Sequence, residues 1–329
     1  MKLRRLGASG LLVSPICLGT MTFGKPVSAD AAIKLIHAAL DLGVNFVDTA
    51  NVYEGYDRYL GSPGGVAEEI VGRAIGDRRD KVLLATKVGA PVGPGPQDRG
   101  LSAAHILGEV DRSLQRLQTD YIDLHIFHWP DRLIAPEESL AAIDQCVRQG
   151  KVRWFGVSNH AAWQQCELLW LAERERWPRI VSSQIPLSLL RRELENDLVF
   201  CEKYDIAVTP YQSLQGGLLT GKYRRDASPP AHSRAAEKAE WMWQTSPALF
   251  DKLEAVEALA AEAAIPMSQY SLAWALSQRA VASLVVGITR VEQLQDAVAA
   301  AEVVLSSDDL AKLDRVCPPP WRQPDPVRG

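Results

Sequence analysis

Short apolar runs alternate with amphipathic segments from one end of the chain to the other. The runs are ICLGTM (16–21), VNFVDTA (44–50), KVLLATKVG (81–89), YIDLHIFH (121–128), VRWFGVSN (152–159), IVSSQI (180–185), IAVTPYQS (206–213) and ASLVVGI (282–288). Each is strand-length, and near-continuous apolarity marks a strand covered on both faces. The segments between them carry helical spacing. In 102–118, Ser102 is a capping residue, and Ile106, Val110, Leu114 and Leu117 share one face. In 136–150, Pro136 suits a first helical turn, Leu140, Ile143 and Val147 form the stripe, and Gly150 is the stop. The stretch GGVAEEIVGRAIGD behaves likewise, ending at Gly76.

Eight strands alternating with helices predict a parallel α/β fold, either a doubly wound open sheet or a closed (β/α)₈ TIM barrel. The open sheet calls for GxGxxG after the first strand. GTMTFGKP stands there instead, which favours the barrel. The opening KLRRLGASGLLVSP reads as a β-hairpin placed to close the barrel floor. The stretch 222–247, rich in Pro, Ser and charge, reads as a long loop over the C-terminal face. No repeat or linker divides residues 1–329, which are read as a single domain.

Composition narrows the function classes. The 329 residues are 47% hydrophobic and 23% charged, with a net charge of −4. That balance gives no basic field for nucleic acid or anionic lipid. No apolar run approaches the roughly 18 residues of a membrane span. The five cysteines form no CxxC pair, and no leader pattern is evident, so a cytoplasmic setting is expected.

In a (β/α)₈ barrel the chemistry collects at the carboxyl ends of the strands. Here successive strand ends deliver Asp48, Lys87, His128, Ser158 with Asn159, Gln184 and Tyr211, one βα unit apart. Any one of these has a structural explanation: Asp48 as a loop cap, Lys87 as a snorkelling lysine, His128 as a satisfied core histidine, Tyr211 as packing. Six consecutive strands in step do not. His125 lies three residues before His128 and so on the opposite strand face, which argues against a shared metal, and none is predicted. Lys87 at the end of so apolar a strand needs an acid, and Asp48 on the adjacent strand supplies it. Tyr53 follows five residues after Asp48. A phenol titrates near 10, and a neighbouring ammonium is expected to lower that value. Tyr53 is then an acid able to protonate an oxyanion steadied by His128 and Lys87, which is the half of a carbonyl reduction that lacks only its hydride source.

The stretches LGASGLLVSPICLGTMTFG, NFVDTANVYEG, LLATKVG, YIDLHIFHWPD, GKVRWFGVSN and YQSLQGGLLTGKY together resemble the aldo-keto reductase superfamily over nearly the whole chain. The resemblance implies an NAD(P)H-dependent oxidoreductase with Asp48, Tyr53, Lys87 and His128 as its catalytic tetrad and an aldehyde or ketone as its small-molecule substrate. It assigns the nicotinamide carboxamide to Ser158, Asn159 and Gln184, and the nicotinamide face to Tyr211. Gly19, Thr20, Met21, Gln212, Ser213, Leu214, Gly216, Gly217 and Lys222 would line the rest of the cofactor's path. After the eighth strand it implies contacts from Gly287, Thr289, Arg290, Gln293 and Asp296, with Ala297 replacing the usual Asn. Arg290 facing a ribose 2′-phosphate would favour NADPH over NADH. Phe23, Tyr56, Trp129, Trp241 and Trp243 are the expected substrate walls, with the tryptophans of the long loop acting as a lid or packing on the barrel. Two other readings stay open: a Schiff-base lyase using Lys87, and a non-catalytic regulatory subunit of the same fold, since the superfamily includes partners of ion channels. The pattern leaves the oligomeric state open.

Overall fold

The computed structural model describes residues 1–320. A two-stranded antiparallel hairpin, β1 (Arg4–Arg5) and β2 (Leu12–Val13), comes first. Eight parallel strands follow: β3 (Ile16–Gly19), β4 (Phe46–Asp48), β5 (Leu83–Val88), β6 (Ile122–Phe127), β7 (Val152–Ser158), β8 (Ile180–Gln184), β9 (Ala207–Val208) and β10 (Leu284–Gly287). They are hydrogen-bonded in the order β10-β3-β4-β5-β6-β7-β8-β9. Parallel bridges Val208↔Val281 and Tyr211↔Val285, with Val285 N donating to Pro210 O at 2.8 Å, join the last two edges into a closed barrel. Every apolar run named above contains one of these strands.

Strand alternation divides the core in two. Cys17, Phe46, Ala85, Leu124, Ile126, Val181 and Ala207 fill the barrel interior. Their sequence neighbours, such as Leu18, Val47, Leu84 and Phe127, face the surrounding helices in a second, larger cluster. The hairpin sends Leu6 and Val13, both fully buried, into the interior group, so it seals the floor. Gly7 makes this possible. It has φ +54°, and a Cβ there would stand 2.2 Å from the Val181 carbonyl oxygen.

The three helical segments named from the sequence each contain a helix. α1 (Ala29–Asp41) and α2 (Val66–Ile75) come first, and α2 runs on through Gly76 into a 3₁₀ segment instead of stopping there. α3 (Ala103–Leu117) is capped by Ser102 and buries Ile106, Val110 and Leu117. α4 (Pro136–Arg148) begins on its proline, and Gly150, at φ +74°, breaks the chain away from it. Burying one such Leu or Ile side chain is worth about 1.5–3 kcal/mol, so each helix is held by its stripe more than by its own hydrogen bonds. Among the described residues no helix is long and apolar enough to cross a membrane. The long loop contains one short helix (Arg234–Glu237) and a 3₁₀ turn (Ala239–Trp241).

Candidate active site

Asp48 ends β4 and Lys87 is the last inward-facing residue of β5, so neighbouring strands bring the pair together. Lys87 Nζ donates to Asp48 Oδ1 at 2.5 Å, to the Thr49 carbonyl at 2.7 Å and to Tyr53 Oη at 3.2 Å. All three ammonium donors are therefore satisfied. Gln184, from β8 across the barrel, donates to Asp48 Oδ2 at 2.8 Å. The His128 ring stands edge-on to Tyr53, with centroids 5.8 Å apart and planes at 80°. Asp48, Lys87, Tyr53 and His128 thus form one contiguous cluster, linked by the Asp48–Lys87–Tyr53 hydrogen bonds and the Tyr53–His128 ring contact.

The electrostatics follow from burial. Desolvation alone would lower the Lys87 pKa, but Asp48 and then Tyr53 outweigh it, and the ammonium stands above its ordinary value. It stays charged at neutral pH, which disfavours a Schiff-base nucleophile. Tyr53 corrects the simple expectation. Burial raises its phenol above 10, and the pull of Lys87 offsets only part of that. Burial, then the positive charges of Lys87 and Arg58, hold the His128 imidazole well below its usual range, so it is neutral. His128 Nδ1 is buried without a hydrogen-bond partner.

Next along the rim, Asn159 holds φ +61° and donates to the His128 carbonyl at 2.9 Å and to Ser158 Oγ at 3.0 Å. Its own oxygen accepts from Tyr211 Oη at 2.8 Å. Gln212, also at positive φ, accepts from Arg191 at 3.0 Å. Ser213 is buried with a free Oγ, and Leu214 packs on the core. Gly216 (φ +66°) and Gly217 (φ +93°) then turn the chain, with the exposed Lys222 ammonium lying over Gly217. On the other side, Gly19 pairs with Asp48, and both Thr20 N and Thr20 Oγ1 donate to the Asp48 carbonyl at 3.0 Å. Met21 is partly exposed beside them.

At β10, Gly287 is open, with nothing near where a Cβ would stand. Arg290 is exposed and makes no ion pair among the described residues. Gln293 and Asp296 are less available. Gln293 Oε1 accepts from Thr289 N (2.9 Å) and Thr289 Oγ1 (3.1 Å). Asp296, on the helix Val291–Ala300, accepts from Ser268 Oγ at 2.5 Å and Gln269 Nε2 at 2.8 Å, so both its oxygens tie that helix to the neighbouring one (Met267–Leu276).

The aromatic residues separate. Phe23 is fully buried among the outer-core side chains and presents no surface to the mouth, because the turn after β3 folds it inward. Trp129 stacks on His128 with centroids 6.0 Å apart. Trp241 meets Tyr56 edge-on at 5.4 Å, so the long loop reaches the segment that carries Tyr53. Trp243 remains 37% exposed. Among the described residues no group of three or more His, Cys, Asp or Glu is placed to hold a metal.

Three supports lay outside the pattern reading. Asn51, between Asp48 and Tyr53, donates to Glu109 at 2.8 Å; Arg116 bridges Glu109 and Glu68; and Glu68 accepts from Thr86, beside Lys87. Glu109, a carboxylate beside the apolar stripe of α3, was the visible signal. Arg58 and Arg191, both near the rim, had none beyond their charge.

The profile of the Aldo/keto reductase family matches residues 15–317. The chain is 36% identical over 327 residues to "Uncharacterized oxidoreductase YrpG" of Bacillus subtilis (strain 168), covering 96% of this chain and 95% of that protein. It is 32% identical over 340 residues to "Probable voltage-gated potassium channel subunit beta" of Arabidopsis thaliana, covering 100% of both. It is 31% identical over 349 residues to "Putative aryl-alcohol dehydrogenase C977.14c" of Schizosaccharomyces pombe (strain 972 / ATCC 24843), covering 96% of this chain and 95% of that protein.

Proposed function

The chain belongs to the aldo/keto reductase family, and from that premise we propose that it reduces the carbonyl group of an aldehyde or ketone, with Tyr53 as the proton donor and NADPH as the reductant. The observation that carries this reading is the Asp48–Lys87–Tyr53 chain of hydrogen bonds, set edge-on to a neutral His128. Oxidoreductase names among the relatives support the reaction class.

The residues along the rim suit a dinucleotide. Gly216 and Gly217 allow close backbone approach, and Gly287 leaves open space. Ser213 Oγ is a buried hydroxyl with no partner, and Arg290 is an exposed guanidinium free to meet a phosphate. Ser158, Asn159 and Gln184 would hold the amide of a nicotinamide, and Tyr211 would cover its ring. Such a group, when bound, supplies the hydride.

The protein's own part is acid catalysis and charge stabilisation. A carbonyl oxygen seated between Tyr53 Oη and the His128 ring gains negative charge as its carbon is reduced. Neutral His128 donates a hydrogen bond to that oxygen without competing for its proton. Tyr53 transfers its proton, and the phenolate left behind is met by Lys87 at 3.2 Å. Asp48 and the Thr49 carbonyl keep Lys87 charged and aimed. Positioned general acids of this kind contribute roughly 10²–10⁴-fold.

The test is loss of reduced-nicotinamide absorbance against a panel of aldehydes and ketones, with NADPH and NADH in parallel. A Tyr53→Phe protein that consumes NADPH as fast as wild type refutes the acid assignment. The relative named as a channel subunit favours a second reading, a regulatory subunit. Binding of NADPH without turnover of any carbonyl in the panel is its signature.

A further inference from the structure

Arg58 lies at the end of the one-turn 3₁₀ helix Gly55–Asp57, five residues beyond Tyr53. Its side chain is half-buried against the loop that follows β5, where Nη2 donates to the Pro91 carbonyl at 3.2 Å. Among the described residues that is its one side-chain hydrogen bond, and no carboxylate stands within ion-pair distance of it. The two acids nearest along the chain are engaged elsewhere: Asp57 pairs with Lys25 at 2.7 Å, and Glu54 accepts from Ser62. A guanidinium carries five N–H donors in a planar fork, so most of this one is unused.

Its surroundings make that arrangement costly. Desolvation depresses the Arg58 pKa despite help from Glu54 and Tyr53. Its charge reaches both the Tyr53 phenol and the His128 imidazole, and the charges acting on that imidazole are Lys87 and Arg58, both positive. Partly dehydrated cations are normally paired. The wall beyond is aromatic: Trp129 stacks on His128, and Tyr56, two residues before Arg58, meets Trp241. A substrate seated at Tyr53 therefore has flat apolar surfaces beside it and one under-used fork at the rim.

We propose that Arg58 is a specificity residue, recognising carbonyl substrates that carry a carboxylate through a charge-assisted hydrogen bond to the end remote from the reacting carbon. This names the substrate class of the site described above, and it rests on that reading only for turnover. Planar, bidentate carboxylate recognition is what an arginine does better than a lysine.

Two measurements test it separately. The first compares kcat/KM for 4-carboxybenzaldehyde and its neutral methyl ester in wild type, Arg58→Gln and Arg58→Lys. The acid-to-ester ratio falls about 10- to 100-fold in Arg58→Gln, carried mostly by KM, and partly recovers in Arg58→Lys. An equal fall for both substrates means that Arg58 only props the loop at Pro91, and overturns the proposal. The second is quenching of tryptophan fluorescence by benzoate, which needs no reaction. If no carbonyl is reduced yet benzoate binds wild type and not Arg58→Gln, the anion site stands while the reductase reading falls. If benzoate binds both proteins equally, or neither, the anion site is refuted whatever the enzyme turns over.

Discussion

Replacing Asp48 by asparagine removes one charge from a pair that water does not reach. The Lys87 and Asp48 side chains are 0% and 2% exposed, and their contact is 2.5 Å. Asparagine keeps the volume and can still meet Gln184, so the change is electrostatic and leaves little cavity. The ammonium retains the Thr49 carbonyl and Tyr53 but loses its counter-charge. Stranding one member of a buried pair costs about 3–5 kcal/mol. The cost depends on pH in a direction the wild type does not share. In the wild type the Lys87 pKa is raised, so its contribution is complete below the unfolded value near 10.4 and is lost only as pH climbs through the higher folded value. In Asp48→Asn, desolvation acts without its main opponent and the folded pKa drops below the unfolded one. The unfolded chain then binds more protons than the folded one, and the variant gains stability as pH rises toward 10. The assay is urea unfolding of both proteins at pH 7, 8 and 9.5, with NADPH absent. The stability gap narrows across that series. A gap under 1 kcal/mol at pH 7, or one that widens with pH, would refute the view that Asp48 is what keeps Lys87 ionised.

Other outcomes follow from single contacts. His128, neutral in the fold, takes up no proton between pH 6 and 8, so its ring signals in proton–nitrogen NMR stay flat there; because its folded pKa is depressed, its share of stability is lost as pH falls below about 6.5, and His128→Gln flattens that limb. Gly217→Ala, at φ +93° and with a Cβ 2.6 Å from Lys222 Nζ, weakens NADPH binding roughly 10-fold in a fluorescence titration. Gly287→Ala, where nothing stands within 4 Å, leaves the fold's melting temperature unchanged and serves as the comparison. Gly7→Ala destabilises the barrel floor by roughly 2–4 kcal/mol in thermal unfolding, since its Cβ would press into the Val181 carbonyl.

The barrel was legible because parallel strands buried on both faces must be apolar from end to end, and each such run in this chain holds a strand. Asp48, Lys87 and His128 stood out for the same reason: they are polar groups that interrupt those runs at one level. What stayed hidden depends on side-chain direction, which spacing does not encode. Phe23 follows a strand as a pocket residue would, yet its turn folds inward and buries it fully. Asp296 sits where a cofactor contact was expected, yet its oxygens are taken by Ser268 and Gln269 from another helix. The bridge from Asn51 through Glu109 and Arg116 to Glu68 joins residues far apart in the chain, and only the fold makes them neighbours.

The pKa of Tyr53 shows why the sign of an effect must be weighed against its competitors. From the sequence, a lysine beside a phenol argues for a more acidic phenol. In the folded protein, desolvation of the phenolate is the larger influence, and the net direction is upward. This suits reduction better than the sequence-level expectation did. A phenol poised near neutrality would spend part of its time as phenolate, unable to protonate anything. A buried phenol held above 10 would keep its proton until the alkoxide of the proposed reduction, a far stronger base, developed beside it. In the proposed reaction Lys87 would act on the product side of that transfer, where the new phenolate would lie 3.2 Å from an ammonium already fixed by Asp48 and Thr49. On the proposed reaction the lysine is thus arranged to stabilise the charge that proton transfer would create, while its pull on the resting phenol is outweighed by burial; that is the differential binding that lowers a barrier.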